Sequence, residues 1–192
     1  MNTEDAESLA EGGAQWEWLQ AETLDTWDGE ERAVDWAFAH FHHPAYDVGA
    51  RFAGEAADWR PMTTLFDGNV DVVFGAHEHI YQRFLPLTYD AVLAPSGEYA
   101  LGTEDGVAYL VLPAAGNTMV NQGVVREDEP GAEQRPLLAW PEVASGDNAV
   151  EVDNGFLVGD LTPTSLTVSY VGMGVPSAPE PAEILDVFAI VR

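Results

Sequence analysis

Five histidines, at positions 40, 42, 43, 77 and 79, are confined to two short segments, AHFHHPAY (39–46) and GAHEHIYQR (75–83). Imidazole is the commonest protein ligand for transition metals, and scatter along 192 residues would not concentrate it in this way. In extended backbone, residues two apart leave the same face, so His77 and His79 can serve one metal ion or two ions sharing a bridging group. A lone histidine reads better as a hydrogen-bonded structural residue. A His-His-Pro segment followed by a His-Glu-His segment, each after an apolar run, reads as metal ligation. The chain has no cysteine, which excludes thiolate ligands and disulfides.

The elements around these segments are those of an α/β fold. Residues 1–13 form a polar lead-in. Trp16, Leu19, Thr23, Leu24 and Trp27 recur at helical offsets, predicting an amphipathic helix over 14–27. Residues 33–41 (AVDWAFAHF) predict a buried strand, and Pro44 forces the chain out of it in extended geometry. A second helix is expected over 55–66, interrupted or restarted at Pro61. Asp67-Gly68-Asn69 signals a turn, 70–74 (VDVVF) a second buried strand, and 75–79 a loop at its end. Strand–helix–strand with motifs at both C-terminal strand ends is where open α/β sheets place ligands.

Beyond Arg83, short β-rich runs at 84–89, 106–113, 155–161, 165–171 and 184–191 are punctuated by Gly, Pro, Asp and Asn, predicting hairpins. Residues 126–154 are acidic and read as a surface excursion within a domain spanning 14–192. Asp47 and Glu78, beside the motifs, read as solvated loop acids.

Thirty-three acidic residues stand against seven basic ones, all arginine, for a net charge of −26. That charge argues against nucleic acid or an anionic membrane as partner. It fits a solvated surface suited to high salt, and bound cations would reverse its sign locally at a site. No apolar run approaches the roughly 20 residues of a membrane span. The first residues lack the basic and apolar pattern of a secretory leader.

The two histidine segments resemble the last two metal motifs of the calcineurin-like metallophosphoesterases, in the form found in purple acid phosphatases: His-x-Pro, then Gly-His-x-His-x-Tyr-Glu-Arg. DGVAYLVLPAAGNTM (105–119) is similar to the family's strand and Gly-rich turn. GFLVGDLTPTSLTVSYVG (155–172) resembles its closing hairpin, and ILDVFAIVR (184–192) its final strand. The resemblance runs from about residue 15 to the end. It implies the C-terminal half of an α/β/β/α sandwich, with a mixed sheet and a β-rich C-terminal region.

Carried over residue by residue, it implies that His42 and His77 bind one metal and His79 a second. His43 falls between ligand and proline and is a candidate for substrate contact. His40 is structural. Tyr81 and Arg83 pack and orient the loop. Arg51 is a weak candidate for substrate contact, where the family carries a histidine. Ala76 replaces a usual glycine and Gln82 a usual glutamate. The family's upstream motifs, which supply the bridging aspartate, further carboxylates and an asparagine, have no counterpart in 1–32.

The implied activity is hydrolysis of small phosphate esters by a metal-bound hydroxide, with two ions of iron, manganese or zinc in an intact centre. The chain is then expected to be a fragment lacking the N-terminal metal motifs, with its missing N-terminal half as a partner. A non-catalytic metal-binding remnant is the alternative, and an extracellular or periplasmic place is what the resemblance implies. A cupin-like β protein also carries His-x-His. It needs a glutamate three or four residues later, where Gln82 and Arg83 stand.

Overall fold

The computed structural model describes residues 2–28, 31–53, 58–89, 99–100, 106–113, 123–141, 154–175 and 178–191. The elements in chain order are helices α1 (Ala6–Leu9) and α2 (Ala14–Leu24) and strands β1 (Trp27–Asp28), β2 (Glu31–Arg32), β3 (Phe38–His40), β4 (Val72–Gly75), β5 (Gln82–Phe84), β6 (Tyr99–Ala100), β7 (Ala108–Val111), β8 (Leu138–Trp140), β9 (Gly155–Leu161), β10 (Ser165–Val175) and β11 (Ala178–Val191). Short 3-10 helices cover Arg60–Leu65 and Ala132–Leu137.

A five-stranded mixed sheet, ordered β3-β4-β7-β5-β8, carries both histidine segments. β3, β4 and β7 run parallel, and β5 joins β7 and β8 antiparallel. Parallel strands at the centre leave an all-β architecture behind. A second sheet, β6-β11-β10-β9, holds the long C-terminal hairpins.

Alternation along the strands sorts side chains into two cores. Val73, Tyr109 and Val111 face one side, with Leu9, Leu19, Phe41, Trp59, Met62 and Phe66 from helices and loops. Val72, Ala108 and Leu110 face the other, against Leu166, Val168, Tyr170, Phe188 and Ile190 of the second sheet. Period-two alternation with both faces apolar is what a strand buried between two layers requires. Each fully buried Val, Leu or Phe side chain contributes about 1.5–3 kcal/mol to this arrangement.

The structure sharpens the expected elements. The helix expected over 14–27 ends at Leu24. The lead-in is partly built in: Asp5 caps α1 by accepting from the Ser8 N–H, and Leu9 is buried. The strand expected to be buried over 33–41 shortens to β3, with Phe38 and His40 exposed. The reason is topological: among the described residues β3 pairs only with β4 and is an edge strand. Asp71, buried, fixes its start by accepting from the Ala37 N–H (2.6 Å) and the Arg32 guanidinium (2.7 Å).

Of the helix expected over 55–66, the described part is the 3-10 turn with Pro61 in its first turn, and 55–57 lie outside the described residues. Within 126–154, β8 forms the far edge of the main sheet and Gln134 is buried. Residues 142–153, and the Gly-rich turn at 114–119, lie outside the described residues.

Candidate metal centre

Parallel pairing brings the two histidine segments together. The register sets His40 against Phe74, and pairing continues past the strand ends: the Phe41 N–H donates to Phe74 O (3.1 Å) and the Ala76 N–H to His42 O (2.9 Å). The loops can approach because Gly75 lacks a Cβ; one built there would lie 2.6 Å from Pro44 Cβ. The glycine need is therefore met at Gly75, and alanine is accommodated at position 76. His77 has φ +65°, the one positive value at a non-glycine residue among those described. That conformation is strained for most side chains and concentrates at functional sites.

The result is a cluster of three imidazoles. His42 Nε2 lies 2.9 Å from His77 Nδ1. The His43 ring centroid is 4.3 Å from that of His77 and 5.0 Å from that of His42. One nitrogen from each ring can be chosen so that all three lie within 4.8 Å of one another, a spacing that suits one ion. His79 stands outside this group, and His40 is exposed on β3, lining a groove of about 310 Å³ with Trp18, Thr23 and Phe66. The proton affinity of His77 is low. Burial first, then the neighbouring His43 and His42 and the Arg51 charge, bring its pKa down from 6.5 to about 4. It is a neutral imidazole at neutral pH, the form that ligates metal.

Three groups that the sequence reading did not assign to the site complete its wall. The Phe52 ring packs on His77 with centroids 3.7 Å apart, and the Arg51 guanidinium lies 4.6 Å from the Phe52 centroid. Thr3 Oγ1 sits 2.7 Å from His43 Nδ1, and a Glu4 carboxylate oxygen sits 3.4 Å from His43 Nε2. Thr3 and Glu4 lie forty residues upstream, and no spacing rule would connect them to His43.

The loop acids are a correction. Asp47 and Glu78, expected as solvated, are buried. Glu78 accepts the backbone N–H groups of Arg51 (3.2 Å), Phe52 (3.2 Å) and His79 (3.3 Å), bracing the loop after His-His-Pro against the loop carrying His77. Burial raises its pKa above the ordinary value of 4.5, those three bonds opposing the shift. Asp47 Oδ1 accepts from the Gln82 amide (2.6 Å) and the Gly49 N–H (2.7 Å), while Gln82 Oε1 takes the Val48 N–H (2.9 Å). Gln82, fully buried, therefore holds a polar pairing of its own. Tyr81 and Arg83 anchor the motif's tail to the second sheet: both donate to Asp186, Arg83 through two nitrogens (2.8 and 2.9 Å) and Tyr81 through its hydroxyl (3.0 Å).

This geometry coincides with a match to known proteins. The calcineurin-like phosphoesterase family model matches residues 2–81, the stretch that holds every group of the cluster. Over that stretch the chain is similar to the calcineurin-like phosphoesterases. Over 94 residues it is 31% identical to purple acid phosphatase 22 and, equally, to purple acid phosphatase 21 of Arabidopsis thaliana. Those alignments cover 48% of this chain and 21% of each relative, so the matched part spans about a fifth of the curated relatives' length. Among solved structures, purple acid phosphatase PPD1 from yellow lupin (Lupinus luteus) seeds superposes with a TM-score of 0.57 and 18% identity, covering 94% of this chain and 28% of that one. PhoD superposes with a TM-score of 0.51 and 14% identity, covering 93% and 33%. These two share the fold, a mixed α/β sandwich with a β-rich C-terminal region.

Proposed function

We propose that this chain is the C-terminal part of a metal-dependent hydrolase of small phosphate esters, with its N-terminal metal motifs in polypeptide outside the sequence. The observation that carries the reading is the 2.9 Å approach of His42 to His77 at the C-terminal ends of adjacent parallel strands, within a family whose members imply divalent metal ions. The donor set fits such ions: imidazoles, no thiolate, and a His77 whose proton affinity is lowered by burial and its neighbours. Ions bound there would neutralise charge on phosphoryl oxygens and lower the pKa of a water toward neutrality.

In this reading His42 and His77 serve one ion, and His79 is reserved for a second whose other ligands lie outside the chain. Arg51 is the nearby cation suited to a phosphate oxygen, and the Phe52 ring beneath it limits its movement. The surface charge of −26 is overruled locally by the ions that the site gathers. The exposed apolar edge at β3, with Phe38 and Trp18, supports a larger sheet in the longer protein. Iron, manganese and zinc are the candidate ions, and a phosphate monoester, diester or nucleotide the candidate substrate.

The test is metal content and aryl-phosphate hydrolysis of the purified chain. The expected result is at most one tightly bound ion and weak turnover, with metal lost in His77→Ala and retained in His40→Ala. Two bound equivalents with robust turnover would remove the claim that ligands are missing. Equal effects of the two substitutions would undo the ligand assignment.

A further inference from the structure

We propose that this chain binds a single ion through a ligand set of its own: His42, His43 and His77 with Glu4 as fourth ligand, oriented by Thr3. The inference shares His42 and His77 with the functional reading above but adds His43 and Glu4, and it leaves out His79.

Three observations converge on it. The first is the cluster itself. His43, and not His79, joins His42 and His77 with one ligand atom each within 4.8 Å of one another, and Glu4 stands just outside this group, beside His43. The second is the spacing of Glu4. Two ligands held about 2.1 Å from a tetrahedral ion lie about 3.4 Å apart. The Glu4 oxygen lies 3.4 Å from His43 Nε2, and the His42–His77 pair, at 2.9 Å, needs to open by only a few tenths of an ångström. The third is tautomer control. Metal ligation through His43 Nε2 requires the ring proton on Nδ1, and Thr3 Oγ1 waits 2.7 Å from Nδ1 as acceptor. Ligating histidines almost always spend their other nitrogen on such a partner.

The upstream segment is held in place to do this. Thr3 is buried, and its hydroxyl oxygen also accepts the His43 backbone N–H (3.4 Å). Asn2 is tied to Gln15 of α2 in both directions, by N–H to Oε1 (2.6 Å) and by Nε2 to O (3.1 Å). Asp5 caps α1. Glu4 lies between these anchors with its side chain 76% exposed, which gives its carboxylate room to swing onto an ion. Three neutral imidazoles and one carboxylate make a net +1 site with a divalent ion, favourable in a chain this acidic.

The experiment uses the full chain with zinc and, for spectroscopy, cobalt(II). Equilibrium dialysis gives stoichiometry and affinity, and the intensity of the cobalt d–d bands reports four-coordinate geometry. The expected result is one ion per chain with intense tetrahedral bands. Affinity should fall at least tenfold in Glu4→Gln and in His43→Ala, fall about 10–100-fold in Thr3→Ala as for an outer-shell partner, and change less than twofold in His79→Ala. Glu4 is exposed, so Glu4→Gln should fold as the parent does, and circular dichroism checks this for every variant.

The inference is overturned if His79→Ala costs as much affinity as His77→Ala while Glu4→Gln and His43→Ala are silent. That outcome would leave the phosphoester reading standing with its own ligand set. The opposite pattern, with Glu4 and His43 required and no aryl-phosphate turnover at any metal loading, would support this site and count against that activity.

Discussion

Gln82→Glu should destabilise the protein in a way that acid reverses. Gln82 is fully buried and its amide donates to Asp47 Oδ1 at 2.6 Å. Glutamate would replace that donor with a second carboxylate at the same place. Two full charges 2.6 Å apart would repel by about 6 kcal/mol at an effective dielectric constant of 20. Taking up one proton avoids this. Holding a proton at pH 7 on an acid of ordinary pKa about 4.3 costs about 3.7 kcal/mol, at roughly 1.4 kcal/mol per unit.

Protonation is the lesser cost, so the pair titrates as one and the variant loses about 3–4 kcal/mol at pH 7. The protonated pair then shares a hydrogen bond much like the parent's. The sign follows: the folded state holds a proton that the unfolded state releases, so the deficit vanishes below the unfolded pKa and grows as pH rises. Urea unfolding followed by tryptophan fluorescence, from pH 4.5 to 7.5, should show a deficit shrinking by about 1.4 kcal/mol per unit of acidification. The double variant Asp47→Asn/Gln82→Glu, with one carboxylate in place of two, should recover most of the loss at pH 7. A deficit independent of pH, or one below about 1 kcal/mol at pH 7, would refute the reasoning.

Two further substitutions probe the supports of the site. Asp186→Ala leaves the Arg83 guanidinium and the Tyr81 hydroxyl buried without their shared acceptor, and should cost about 3–5 kcal/mol in urea unfolding. Asp186→Asn, which keeps an acceptor, should cost less. Gly49→Ala places a Cβ onto the Glu78 Cγ, Cδ and Oε2 atoms, and should cost about 1–3 kcal/mol as overpacking does. In a Glu78→Ala background the same change should be close to neutral in thermal unfolding, because the atoms it meets are gone.

The legible part of the site was its chemistry; the illegible part was its support. Histidines concentrated after apolar runs mark candidate ligands, and the structure groups His42, His43 and His77, with His79 outside the group. The parallel pairing of β3 with β4 is what brings position 42 beside position 77. The burial of β3 was misjudged because an apolar run reads alike whether it lies at a sheet's centre or at its edge. The reach of Thr3 and Glu4 was invisible because it depends on how the α1–α2 corner folds back, a tertiary fact without local periodicity.

The acids are the most instructive case. Among 33 acidic residues, a buried one carries no compositional mark. Yet four buried acids each close a junction around the site. Asp71 starts the edge strand, Asp47 joins the His-His-Pro loop to β5, Glu78 braces the two histidine loops, and Asp186 ties the motif's tail to the second sheet. Each accepts at least two hydrogen bonds from backbone or amide N–H, guanidinium or hydroxyl groups, which is the condition under which a buried carboxylate is tolerated. A carboxylate that accepts several such bonds at once can join segments distant in sequence. The histidines can therefore sit on short irregular loops, one of them at positive φ, and still converge.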